Sequence, residues 1–112
     1  MSALADPPAA PIPTIEPVWL VEATYAPDGA ESRTPFRSAH LANLGELIAA
    51  GVVIEAGAFA DVSSSLMLVR AETEEEALGI FREDIYLRNG VWVELRARRF
   101  GRVRLPGVDD PV

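Results

Sequence analysis

The apolar residues of this 112-residue chain fall into blocks whose spacing changes abruptly at Val18. Val18-Trp19-Leu20-Val21-Glu22-Ala23-Thr24-Tyr25 is short, β-branched and aromatic, and is closed by Ala26-Pro27-Asp28-Gly29, where proline's fixed φ and glycine's freedom make a turn. The pattern predicts a first strand there. Between Phe36 and Ala50 the spacing shifts to threes and fours, at Leu41, Leu44, Leu47 and Ile48, with Gly51 as a stop, which predicts a helix. Val52 to Phe59 and Ser65 to Ala71 read as two more strands, close enough across Ala60 to Ser64 to be antiparallel neighbours. Thr73 and Glu76 form a capping box for a second helix over Glu74 to Glu83, with Ala77, Ile80 and Phe81 turned to the core. Asp84 to Gly90 turns the chain. Val91 to Phe100 alternates as a last strand, with Val91, Val93 and Leu95 on one side and Trp92 on the other.

Strand, helix, strand, strand, helix, strand is the split βαβ order of an α+β, ferredoxin-like βαββαβ domain, and right-handed crossovers put both helices on one face of a four-stranded antiparallel sheet. The sheet strands are apolar on both faces, so the uncovered face needs a second cover, and an identical chain supplies one: the expectation is a homodimer packed sheet to sheet. The domain spans residues 18–104, flanked by an N-terminal tail over residues 1–17 and a C-terminal tail over 105–112. Pro7, Pro8, Pro11, Pro13 and Pro17 rule the first tail out as a helix or central strand, so it is expected to be extended or disordered and dispensable through Glu16.

A formal net charge of -7 argues against a nucleic-acid partner, because such binding draws on Lys and Arg to displace counterions from phosphates. No stretch is apolar for long enough to span a membrane, and the first residues lack the basic start and apolar run of a secretory signal, so a cytoplasmic location is expected. With no cysteine, thiolate nucleophiles and thiolate metal sites are absent, and one histidine among carboxylates makes a poor zinc site; no cofactor is expected. The late cluster of Arg96, Arg98, Arg99, Arg102 and Arg104 reads as a solvated strand end, open to pairing with Glu72, Glu74, Glu75 and Glu76 of this chain or of a second copy, in preference to an anion-binding patch. That leaves His40, the only histidine, as the one side chain whose ordinary chemistry moves protons near neutral pH. It borders the apolar stripe of the first helix. A lone histidine so placed is more often a hydrogen-bonded core residue than a catalyst, and the residues alone leave both readings open.

Arg37-Ser38-Ala39-His40-Leu41 followed by Leu44, then Gly51, Ala56-Gly57, Asp84-Ile85-Tyr86 and Gly90-Val91, resembles the YciI-like, YCII-related family over roughly Val18 to Val103. In that family an Arg-x-x-His-Leu run opens the first helix and an Asp-Pro-Tyr run follows the second. The resemblance implies a dimeric α+β barrel and a catalytic histidine–aspartate pair, which maps onto His40 and Asp84. Two positions depart from the family pattern: Ile85 stands where the family has proline, and Gly57-Ala58 where it has Gly-Pro. Within the family one branch is similar to dehydrochlorinases, and the fold also resembles muconolactone isomerase.

An aspartate bonded to one ring nitrogen fixes the tautomer and leaves the other to take a proton, which suits a lyase or isomerase acting on a small hydroxylated or lactone-like organic substrate. Arg37, one turn before His40, is placed either to hold an anionic substrate oxygen or to pair with a carboxylate. Tyr86 is placed to donate to a substrate oxygen or to cap the barrel mouth. Gly57 completes the substrate-binding set. By itself Asp84 reads as a helix-end residue in an unfavourable place, a negative charge near a C-terminus. The alternative to an enzyme is a non-catalytic, dimeric ligand-binding or accessory module of the same fold.

Overall fold

The structure is a computed structural model and describes residues 12–106. Residues 1–11 and 107–112, where most of the two expected tails fall, lie outside the described residues. Strand β1 spans Thr14–Tyr25, the short helix α1 Gly29–Ser32, and a 3-10 turn Thr34–Phe36 leads into α2, Arg37–Ala49. Strands β2, Val53–Ala58, and β3, Ser64–Val69, form a hairpin; α3, Glu74–Arg82, and the short α4, Ile85–Arg88, precede β4, Trp92–Arg104. All strand pairs are antiparallel and the sheet order is β2-β3-β1-β4, the ferredoxin-like arrangement.

The core lies between the sheet and the helices. Trp19, Val21, Ala23 and Tyr25 alternate inward along β1, flanked by Met67 and Val69 of β3, and meet Leu44, Ala77, Phe81 and Tyr86 from the helices. Each end of α2 and α3 has a local cause. Gly51, at φ 78°, takes the left-handed conformation that ends α2. The Thr73 hydroxyl accepts from Glu76 N–H at 3.1 Å, while the Glu76 carboxylate reaches back to Glu72 N–H at 2.8 Å, one residue beyond the N-cap N–H that a standard capping box would use.

Three expectations are corrected. The last strand does not keep its simple alternation: pairing runs Thr24 to Glu94 and then Tyr25 to Trp92, so Val93 is an extra, bulged residue. The bulge puts Trp92 inside on the side of Leu95 and leaves Val93 exposed, while Val91, just before the strand, is buried as well. The N-terminal boundary also moves. Thr14 to Pro17 belong to β1 and pair with Arg104 to Gly101, beyond the point where β3 ends, so the strand there has one neighbour and tolerates a proline. Finally, two of the late arginines pair with β1 and, among the described residues of one chain, not with the acids from Glu72 to Glu76: Arg96 holds Glu22 at 2.9 Å and Arg102 holds Glu16 at 3.0 Å.

Glu16 is the centre of a clamp. It accepts from Arg70 Nε at 2.7 Å and from Arg102, while Arg70 also donates to the Gly51 carbonyl at 3.0 Å, so one carboxylate joins β1, β3, β4 and the turn after α2. On the sheet face that carries no helix, Leu20, Leu66 and Leu68 are half-buried and, with exposed Phe59 and Phe100, line an apolar groove of about 420 Å³.

The pairing of Thr14 to Pro17 and the bonds of Glu16 argue against the expectation that the segment through Glu16 is dispensable. A chain starting at Pro17 should melt lower than the full chain by more than about 4 °C, the equivalent of roughly 1 kcal/mol in a domain of this size, and Glu16→Gln should reproduce part of the loss in a thermal scan. Hydrogen bonds from Arg70, with help from Arg102 and against the opposing effect of burial, hold the Glu16 carboxyl below its ordinary value of 4.5. The stabilisation from Glu16 is thus complete above about pH 4.5 and is lost as pH falls through the lower, folded value, so the melting temperature of Glu16→Gln should converge on that of the parent in acid.

Candidate active site

Helix α2 turns a different side inward than its leucine spacing predicts. His40 and Leu44 are its buried residues, while Leu41 and Ile48 are 47% and 48% exposed, so the imidazole sits within the buried stripe and not beside it. Asp84 arrives from the other side. Helix α3 has ended at Arg82, and Asp84 adopts an extended conformation as the N-cap of α4, its carboxylate accepting from Tyr86 N–H at 2.8 Å. The unfavourable C-terminal charge expected from the sequence is therefore a favourable N-terminal one. Ile85 occupies the first helical position, where proline is also well accommodated, and the cap bond aims Asp84 without it.

His40 Nδ1 donates to Asp84, at 2.9 Å from one carboxylate oxygen and 3.0 Å from the other. An ionised carboxylate only accepts, so the pair puts the ring proton on Nδ1 and leaves Nε2 with its lone pair. The Asp84 side chain has no exposure and that of His40 has 6%. Breaking a buried pair by removing one partner costs on the order of 3–5 kcal/mol, so these two groups hold α2 to α4 as well as pairing chemically. Aromatic rings fix the plane of the imidazole: Tyr86 stacks on it at 3.8 Å and 10°, and Trp92 meets it edge-on at 5.0 Å and 87°. The indole N–H of Trp92 is buried without an acceptor among the described residues, a cost accepted for this packing.

The pair opens onto a cavity of about 160 Å³, bordered by His40, Tyr86, Arg37 and Gly57 together with Arg33 and Tyr25. The structure thus brings four of the five sequence-selected residues to one wall, with Asp84 directly behind His40. Tyr86 does not cap the mouth, being almost fully buried in its stack. Ala56, Gly57 and Ala58 of β2 border this cavity on one side and the open-face groove on the other. Arg33, Tyr25 and Ser65 were not marked by any sequence motif. Ser65 Oγ donates to Tyr25 Oη at 3.2 Å, and Gly29 packs so closely that a Cβ there would meet the Tyr25 ring at 2.8 Å. Register brings Tyr25 and Ser65 to the same inward face, since Ser65 pairs with Ala23 and Tyr25 follows Ala23 by two residues along β1. Arg33 lies in the helical turn between α1 and α2, which the sequence pattern does not foretell.

Among the described residues no cluster of three or more histidine, aspartate or glutamate side chains is arranged to hold a metal ion. No helix among them is long and apolar enough to cross a membrane.

The model of the YCII-related domain matches residues 18–101. This chain belongs to the YCII-related family. No curated protein matches it in sequence. Among solved structures, the 5-chloro-2-hydroxyhydroquinone dehydrochlorinase of Burkholderia phenoliruptrix, in complex with 2,5-dihydroxybenzoquinone, is similar in fold, with a TM-score of 0.64. The two are 21% identical, over 74% of this chain and 92% of that one. The family pattern of arginine, histidine and leucine opening the first helix, and aspartate and tyrosine after the second, is therefore carried here by residues that meet at one cavity.

Burial raises the Tyr86 phenol above its ordinary value of 10.0, and Tyr25 adds to this, while Arg33 and Arg37 oppose it. The neutral phenol is the form the fold favours, so its contribution is complete below about pH 10 and is lost as pH rises through the higher, folded value. An alkaline titration followed by phenolate absorbance should show one of the two tyrosines ionising late, and Tyr86→Phe should remove that late step.

Proposed function

We propose that this chain is a small-molecule enzyme of the lyase or isomerase type, which uses His40 as a general base oriented by Asp84 on a single-ring, hydroxylated or lactone-like substrate. The observation that carries the reading is the buried, doubly bonded contact of Nδ1 with Asp84, which leaves Nε2 as the free nitrogen of a ring bordering a cavity. The cavity volume supports the substrate size, since an apolar cavity of roughly 150 Å³ takes up one benzene ring and little more. The similarity to a dehydrochlorinase complexed with a dihydroxybenzoquinone supports the substrate chemistry.

In the proposed step, Nε2 takes a proton from a C–H or O–H of the substrate. The electron pair left behind forms a new double bond, and either a leaving group departs with its bonding electrons or the double bond moves along the ring. Asp84 stabilises the imidazolium, and the stacked Tyr86 face adds to this as ring quadrupoles do for cations. The proton then returns to product or water. A fixed tautomer and a fixed ring plane are what proton transfer needs, and such a base contributes about 10²–10⁴-fold to rate.

With a substrate in hand, His40→Gln should abolish most of the rate. Asp84→Asn should lower kcat more than it raises KM, because an amide offers the wrong partner to the tautomer the base requires. His40→Gln at full activity but with a lower melting temperature would make the imidazole a core hydrogen-bonding residue and refute its role as the base, whereas binding of such compounds without turnover by the parent chain would favour the accessory-module reading.

We also propose that two copies associate through the open sheet face. The half-buried leucines and the exposed Phe59 and Phe100 of the groove support this, being an apolar surface without a helix of its own. Sedimentation at micromolar concentration should give a dimer that Phe100→Glu dissociates; a folded monomer of the parent chain would refute it.

A further inference from the structure

Among the described residues, Arg70, Arg82, Arg96 and Arg102 hold carboxylates. Arg99 lies over the Trp19 ring at 5.0 Å. Arg33 and Arg37 behave differently. They border the cavity, and among the described residues no carboxylate pairs with either. In a chain of net charge -7, with acids to spare, two unpaired guanidiniums at one cavity create a local positive field against the global one. The cavity has no carboxylate on its wall; its polar side chains are these two guanidiniums, the two phenols, Ser65 and the His40 ring. Asp84 is shielded behind the imidazole, accepting from it and from Tyr86 N–H. Tyr25 adds a donor, since its oxygen accepts from Ser65 and its own proton has no acceptor among the described residues.

We infer that the cavity selects an anion: a single ring bearing an ionised oxygen, an enolate, phenolate or carboxylate, held by Arg33 and Arg37, with a second oxygen accepting from Tyr25. This rests on the proposed reading of the site and names its substrate class, with Arg33 as a specificity-determining residue outside the motif that contains Arg37 and His40. The chemistry is consistent. Taking a second proton from an anion builds up charge that an isolated imidazole base would have to overcome, and two adjacent guanidiniums offset that charge where it develops. Their influence reaches the wall of the site, where both oppose the upward shift of the Tyr86 phenol.

Calorimetric binding to the full chain tests this with two matched pairs of probes, benzoate against benzamide and 2,5-dihydroxybenzoquinone, ionised at neutral pH, against neutral hydroquinone. Each anion should bind at least about tenfold more tightly than its neutral partner, the scale of a charge-assisted hydrogen bond, and rising salt should erode the difference. Arg33→Gln should remove most of the preference and Arg33→Lys restore part of it; Arg33 is half-buried, its side chain makes no hydrogen bond among the described residues, and unchanged melting temperatures should show that both variants fold. Neutral probes binding as tightly as the anions, no binding by either anion, or an undiminished preference in Arg33→Gln would each overturn the inference. The same comparison in His40→Gln separates it from the catalytic reading. Anion preference there, with no turnover by the parent chain of any substrate tried, would count against catalysis alone, whereas turnover of a neutral substrate without anion preference would overturn the anion site alone.

Discussion

A carboxylate removed from water must be answered by donors, and Asp84 is answered from two directions. The Tyr86 N–H reaches it from the first turn of α4, and the His40 ring reaches it from α2. These two demands fix much else. The chain must leave α3 in an extended residue, start a new helix at once, and bring α2 close enough for an imidazole to meet the cap. The aromatic side chains around the ring then exclude water, which strengthens the same bond that required them. Fold and chemistry share one interaction here, so a change that loosens it affects both.

The order of the major elements, the face to which the helices belong, and the pairing of His40 with Asp84 were legible in the sequence, each for a different reason. Periodicity carried the elements most clearly where α3, β1 and β3 bury regular stripes. The pairing came from a family resemblance, since nothing in the spacing of residues 44 apart shows contact. What was hidden depends on single residues that break a period. Val93 is such a residue: its bulge moves Trp92 to the inside, and only the partner strand reveals it. The rotation of α2 is another, because Leu41 and His40 compete for the same stripe, and the buried carboxylate decides in favour of the histidine. The short helical turns around Arg33 and Asp84 are too brief to leave a periodic trace, and they carry residues of the site.

The N-terminal boundary illustrates how a local rule is outweighed. Prolines argued for a tail, yet Thr14 to Pro17 continue β1 because β4 runs equally far and because Glu16 finds two guanidiniums at the end of that extension. The arginines of β4 are thus not one patch. Arg102 serves the clamp, Arg96 a cross-strand pair and Arg99 an aromatic face, and the cluster seen along the sequence is dispersed around the strand by its alternation.

Ala56, Gly57 and Ala58 give the sheet its thinnest partition. β2 is an edge strand, hydrogen-bonded to β3 alone, and over these three residues it carries nothing larger than a methyl group. On one side lies the cavity with His40 and on the other the apolar groove. A single layer of main chain is therefore the common boundary of the cavity and the apolar groove. Edge strands have half the ladder of central ones to hold them. A displacement of this backbone would change the ring-sized space and the groove together, with no side chain between them to absorb it.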